Sequence, residues 1–174
     1  MNNWSVEHET VVNQQINIEL TAAHIYTALY SYFSSDQHHW PGLACYFKKA
    51  AAEEREHADK FIEYQNIRGG TVSIDKLDAP VIDFSNGVDI EHGEEQSVVL
   101  KAFTYALELE QNVYDNILKM AKCTDDVGFS DFLDDFVKEQ LEGQYELGCF
   151  ISQLKIIQNN GFGLWQFDQK LLEK

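Results

Sequence analysis

The chain has 174 residues, 44% of them hydrophobic, and 29 acidic against 13 basic side chains give it a formal net charge of −16. That size suits one domain spanning 1–174 with a sizeable core, and the charge disfavours nucleic acid and anionic membrane as partners while favouring cations. The three cysteines, Cys45, Cys123 and Cys149, are odd in number and widely spaced, which suits reduced thiols rather than a disulfide framework or a zinc knuckle.

The start, Met1 to Glu9, is polar and leads straight into a helical pattern, with no room for a signal or transit segment, so a cytoplasmic location is expected. The first helix is predicted from about Val6 to Ser34. A polar loop, Ser35 to Trp40, follows, and Pro41 suits the first turn of a second helix running to about Arg68, where Gly69 and Gly70 stop it. From Thr71 to about Gly93 no helical row is present, but Pro80 and the Asn86-Gly87 pair are, as in a long crossover. The third helix is predicted from about Glu94 to Lys122. Asp125 or Asp126 can cap a fourth that reaches about Gln158, ended by Asn159, Asn160 and Gly161. A short amphipathic fifth helix covers Phe162 to Leu172. No apolar run approaches the ~20 residues that a membrane helix needs.

Connection lengths set the expected topology. Short loops make the first and second helices antiparallel, and likewise the third and fourth. The second helix is ~40 Å long, and the roughly 20 residues after it can span that distance when extended. The second and third helices can therefore be parallel, giving an all-α four-helix bundle with one long crossover and a short fifth helix.

Each long helix carries an apolar row with spacings of four and three. The rows run Val12, Ile16, Glu19, Ala23, Tyr26, Tyr30, Phe33; Leu43, Phe47, Ala50, Glu54, His57, Phe61, Tyr64; Val99, Phe103, Ala106, Glu110, Val113, Ile117, Met120; and Phe129, Leu133, Phe136, Gln140, Gly143, Leu147, Phe150, Leu154, Ile157. Each row faces the core, so Glu19, Glu54, His57, Glu110 and Gln140 point inward near the middle of their helices. Singly, His57 reads as a hydrogen-bonded core residue, Gln140 as a buried amide and Tyr26 as packing. Together, three carboxylates and an imidazole on one level of a bundle imply a cation between them, because an unpartnered buried carboxylate costs several kcal/mol. Glu54 and His57, three residues apart, can serve one ion, and Glu54 can bridge to a second. Carboxylate and imidazole without thiolate suits iron or manganese better than structural zinc.

The segments Gln15-Ile16-Asn17-Ile18-Glu19-Leu20, Glu53-Glu54-Arg55-Glu56-His57-Ala58, Gln65-Asn66-Ile67-Arg68-Gly69-Gly70, Leu109-Glu110-Gln111-Asn112-Val113 and Glu139-Gln140 resemble, in order and spacing, the signatures of the ferritin family. The resemblance covers nearly the whole chain and is to heavy-chain-like subunits, with some bacterial-type features. It implies a homo-oligomeric cage of 24 subunits that oxidises Fe(II) with O2 or H2O2 at a diiron ferroxidase centre and stores the product as a ferric mineral. By position, Glu19, Glu54 and His57 match the first iron site, Glu54, Glu110 and Gln140 the second, and Tyr26 the tyrosine beside them. Glu53 and Glu56 match outward carboxylates of the second helix. Glu139 and Glu142, with Glu53, fall where bacterial-type ferritins hold a third iron. Gly143 stands where bacterial ferritins carry a glutamate. No haem is expected, since the only methionines are Met1 and Met120 and neither lies on the second helix. The alternative is a non-storage diiron oxidase or peroxidase, whose mark would be a second Glu-x-x-His pair on the fourth helix. Gln140 and Gly143 occupy those places.

Overall fold

The structure is a computed structural model that describes residues 4–80, 95–122, 124–158 and 160–173. Cys123, His92, the Asn86-Gly87 pair, Asn159, the expected third-helix start at Glu94 and the rest of the crossover from 81 to 94 lie outside the described residues. Among the described residues there are five helices: α1 (Val6–Ser34), α2 (Pro41–Ile67), α3 (Glu95–Lys122), α4 (Val127–Ile157) and α5 (Gly161–Leu172). None is long and apolar enough to cross a membrane.

The helix ends follow local chemistry. Ser5 caps α1 by accepting from the His8 backbone N–H, with Glu7 and Glu9 in the first turn, where the helix dipole favours negative charge. At the end of α2, Gly69 adopts φ 76°, a left-handed conformation that costs glycine little. Asp126, one of the two residues expected to do so, caps α4 through Phe129 N–H at 2.9 Å. Asn160, expected to end the fourth helix, instead caps the start of α5, its side chain accepting from Gly163 N–H.

Aromatic contacts establish the helix directions. Along α2, Tyr46 meets Phe150, Phe61 meets Phe136 and Tyr64 meets Phe129, so α4 runs against α2. Phe103 packs on Phe150 while the Gln144 side chain reaches the Glu110 carbonyl, so α3 runs against α4. α2 and α3 are therefore parallel, as the length of their connection permits. The first part of that connection is tied to α1 by a ladder. Thr71 N–H donates to Glu9, Ser73 N–H to Asn13 and Asp75 N–H to Asn17, at 2.7–3.0 Å. The spacing matches because four residues of helix rise about 6 Å and two of extended chain about 6.6 Å.

α5 closes one end of the bundle. Trp40 gives α2 no side-chain cap, and the buried Asp168 of α5 supplies one instead, accepting from Leu43 N–H at 2.8 Å. At the other end, Arg68 lies over the Trp4 ring, donates to Tyr64 Oη and forms a two-armed ion pair with Asp126. That pairing, with the Phe129 N–H bond second, holds the Asp126 carboxyl down at about 2. Its folded pKa is below the unfolded value of ~3.9, so the contribution to stability is present above pH ~4 and lost as pH falls towards 2. Asp126→Asn keeps the cap but loses the charge. The expected result is a lower melting temperature than wild type at pH 6, a gap that closes as the pH is lowered to about 2.

The core divides into two apolar clusters. One holds Tyr26, Phe47, Phe103 and Leu147, and the other Ile16, Phe61, Val113 and Phe136. Between them every long helix places a buried polar side chain: Glu19 on α1, Glu54 and His57 on α2, Glu110 on α3 and Gln140 on α4.

Candidate metal centre

Three of the expected ligands converge. Glu19, Glu54 and His57 each offer an atom within 4.8 Å of the others, the only such group of acidic, histidine or cysteine side chains among the described residues. All three are buried, Glu19 completely. His57 Nδ1 lies 3.3 Å from Glu54 Oε2, and its Nε2 faces Glu139 Oε1 at 3.3 Å.

Glu110 lies outside that close group. Its Oε1 accepts the Tyr26 hydroxyl, and it lines, with Glu54, His57, Gln140 and Tyr26, a cavity of about 260 Å³ between α2 and α4. Glu53 and Glu139 also line this cavity. Glu142 does not, and it is exposed. At about 100° per residue, Glu142 sits roughly 60° from Glu139 on the side away from Gln140, whereas Glu146 sits within roughly 20° of Glu139. Glu146 is accordingly the α4 carboxylate that joins Glu139 at the cavity wall, a residue that the apolar-row reading passed over. Glu56 is exposed and pairs with Lys60 at 3.4 Å.

The electrostatics call for a positive occupant. Burial, reinforced by the charge of Glu54, holds the Glu19 carboxyl well above the ordinary range; burial, reinforced by Glu110, does the same to Glu54. Burial also raises the Tyr26 phenol, with Glu110 next in importance, so Tyr26 stays protonated and able to donate. Among the described residues, two buried side-chain oxygens have no hydrogen-bond partner, Glu19 Oε2 and Gln140 Oε1. Buried acceptors without partners are rare and costly, and hard donor atoms of this kind suit a divalent cation. The residues therefore fit an iron-type ion. Two further residues escaped the sequence reading because they act behind the ligands: Gln15 donates to Glu19 Oε1, and Asn116 donates to Gln15.

Carboxylates, an amide and an imidazole gathered at one level between two apolar clusters define a four-helix bundle with a candidate cation site and a crossover between its parallel second and third helices. A family model for the ferritin-like domain matches residues 10–157. Ferritin-1, chloroplastic, of Brassica napus is 39% identical over 168 residues, covering 94% of this chain and 63% of that protein. Ferritin-3, chloroplastic, of Arabidopsis thaliana is 39% identical over 173 residues, covering 97% of this chain and 64% of its own length. The crystal structure of a ferritin from the multicellular green alga Ulva pertusa superposes with a TM-score of 0.88 at 34% identity, over 98% of this chain and 86% of that one. The chain belongs to the ferritin family. It spans less than two thirds of the length of the two land-plant relatives.

The expected cytoplasmic location is overturned by these relatives, whose names are chloroplastic. The composition of the first residues is no guide to compartment, since compartment is read by receptors from targeting segments rather than from the packed domain.

Proposed function

We propose that this protein stores iron: as one ferritin-like domain spanning 1–174, it takes Fe(II) as substrate, oxidises it with O2 or H2O2 and retains the ferric product as a mineral inside a homo-oligomeric cage of 24 copies. The observation that carries this reading is the convergence of Glu19, Glu54 and His57, with the Glu19 Oε2 and Gln140 Oε1 atoms left unpaired at the same level. In this reading Glu19, Glu54 and His57 hold one iron and Glu54, Glu110 and Gln140 a second, with Glu54 as the shared ligand. Bound side by side, two Fe(II) ions can together supply two electrons to one oxidant molecule. Tyr26 holds Glu110 in place through its hydroxyl. Glu53 and Glu139, on the cavity wall, are the residues to hold a third iron on its way in or out, whereas Glu142 does not line that cavity. The plastid is the location that we infer from the named relatives.

Assembly is supported by apolar side chains left exposed at both ends of the bundle. Val6, Ile67 and Val127, each about four-fifths exposed, lie near one end, and Ile156, Phe162 and Trp165 near the other. Such surfaces mark contacts between chains.

The test is anaerobic loading with Fe(II), then admission of O2, followed by absorbance and by iron retained on size-exclusion chromatography. Rapid oxidation with iron retained in a large particle, far beyond the few ions that the ligands could hold, is the expected result. Oxidation that halts at the stoichiometry of the ligand sites in a small species would overturn storage and favour the diiron oxidase reading.

A further inference from the structure

Glu19 does not stand alone on α1. One turn earlier, the fully buried Gln15 donates its Nε2 to Glu19 Oε1 at 2.6 Å. Gln15 Oε1 in turn accepts from Asn116 Nδ2 of α3, also at 2.6 Å. The sense of this chain follows from its end. A carboxylate that binds a cation is ionised and can only accept, so in that state the Gln15 NH2 group must face Glu19, its carbonyl must face α3, and the Asn116 NH2 group must point inward to meet it. The other oxygen of Glu19, Oε2, is buried with no hydrogen-bond partner.

We propose that Gln15, braced by Asn116, is a positioning residue that occupies Glu19 Oε1 and so restricts Glu19 to binding a cation through Oε2 alone. The inference rests on the metal-site reading above and adds to it the reason for the ligand's geometry. A carboxylate free at both oxygens can rotate and chelate one ion with both, which fills two coordination positions. With Oε1 held, Glu19 fills one, and a position on the ion remains open for water or oxidant. The brace also links α1 to α3 at the site level, so the ligand from α1 is held relative to the helix that carries Glu110. Partners of this kind behind metal ligands typically change affinity or activity by about 10- to 100-fold.

The test uses Co(II), which reports its coordination through its visible spectrum and is not turned over, on the assembled protein. Asn116→Asp is nearly isosteric and half-buried, but it can only accept. It turns the Gln15 amide round and sets a carbonyl oxygen against Glu19. Asn116→Leu removes the donor without reversing it. The expected order of Co(II) affinity is wild type, then Asn116→Leu, then Asn116→Asp, the last weaker by about tenfold or more, with an altered visible spectrum in both variants. A residue that served packing alone would shift the melting temperature and leave the spectrum of the bound ion unchanged. Wild-type affinity and spectrum in both variants would overturn the proposal while leaving the site intact. Failure of the wild-type chain to bind Co(II) at all would overturn the site reading and this inference with it.

Discussion

Glu54→Gln is expected to reduce the initial rate of Fe(II) oxidation by more than about a hundredfold, since the loss of a direct ligand exceeds the 10- to 100-fold typical of groups behind one. Glu54 is within ligand distance of Glu19 and His57 and lines the cavity shared with Glu110 and Gln140, so no other side chain can replace it as a bridge. The same change is expected to stabilise the metal-free protein at neutral pH. Burial, with Glu110 next, holds the Glu54 carboxyl above its ordinary range. For an acid whose pKa is raised by folding, stability is fully present below the unfolded value of ~4.3 and is lost as pH rises through the folded value. Glutamine removes that loss while keeping the shape. The melting temperature of metal-free Glu54→Gln should therefore exceed that of wild type at pH 8 and match it near pH 4. Adding Co(II) should raise the wild-type value and leave the variant's unchanged. Wild-type oxidation rates in the variant would sink the assignment of Glu54.

Gly42→Ala is expected to cost about 3 kcal/mol or more, the upper range for overpacking a close contact. A Cβ at position 42 would lie 1.8 Å from the Asp168 carbonyl oxygen and 2.6 Å from its carbonyl carbon. These are backbone atoms and cannot rotate aside, so α5 must move off α2. That movement breaks the Asp168 bond to Leu43 N–H and leaves the carboxylate's Oδ1 and the start of α2 without that partner. The readouts are a lower urea midpoint and faster proteolysis between α4 and α5. An unchanged midpoint with α5 still protected would contradict this docking.

Much of the architecture is written locally. The four rows with three- and four-residue spacing, Pro41 at the start of α2, Gly69 in its left-handed cap and Asp126 at the start of α4 each act within a turn or two of themselves. For that reason the helix ends were legible to within a residue or two. The five polar interruptions were legible for the same reason: a polar residue on an apolar row violates the local pattern and shows itself without any knowledge of its neighbours. Connection lengths then fixed the two antiparallel pairs, because chain reach is a hard limit, and allowed the second and third helices to be parallel.

What lay beyond that depended on contacts between residues far apart in the chain. Gln15 and Asn116 are polar residues of ordinary appearance, 101 positions apart, and only the packing of α1 against α3 turns them into a brace for Glu19. Asp168 reads as a solvated carboxylate on a short amphipathic helix until α5 is seen seated on an uncapped helix start 125 residues earlier. The placing of Glu146 rather than Glu142 beside Glu139 follows helical spacing, but that this side of α4 lines a cavity is seen only in the packed bundle. The sequence by itself determined the helices, the two antiparallel pairs and the five inward polar groups, since these follow from periodicity and chain length. Which oxygens are held, which carboxylates line the cavity and what caps α2 were decided by the tertiary structure, because hydrogen bonds and burial depend on distances that only the packed bundle sets.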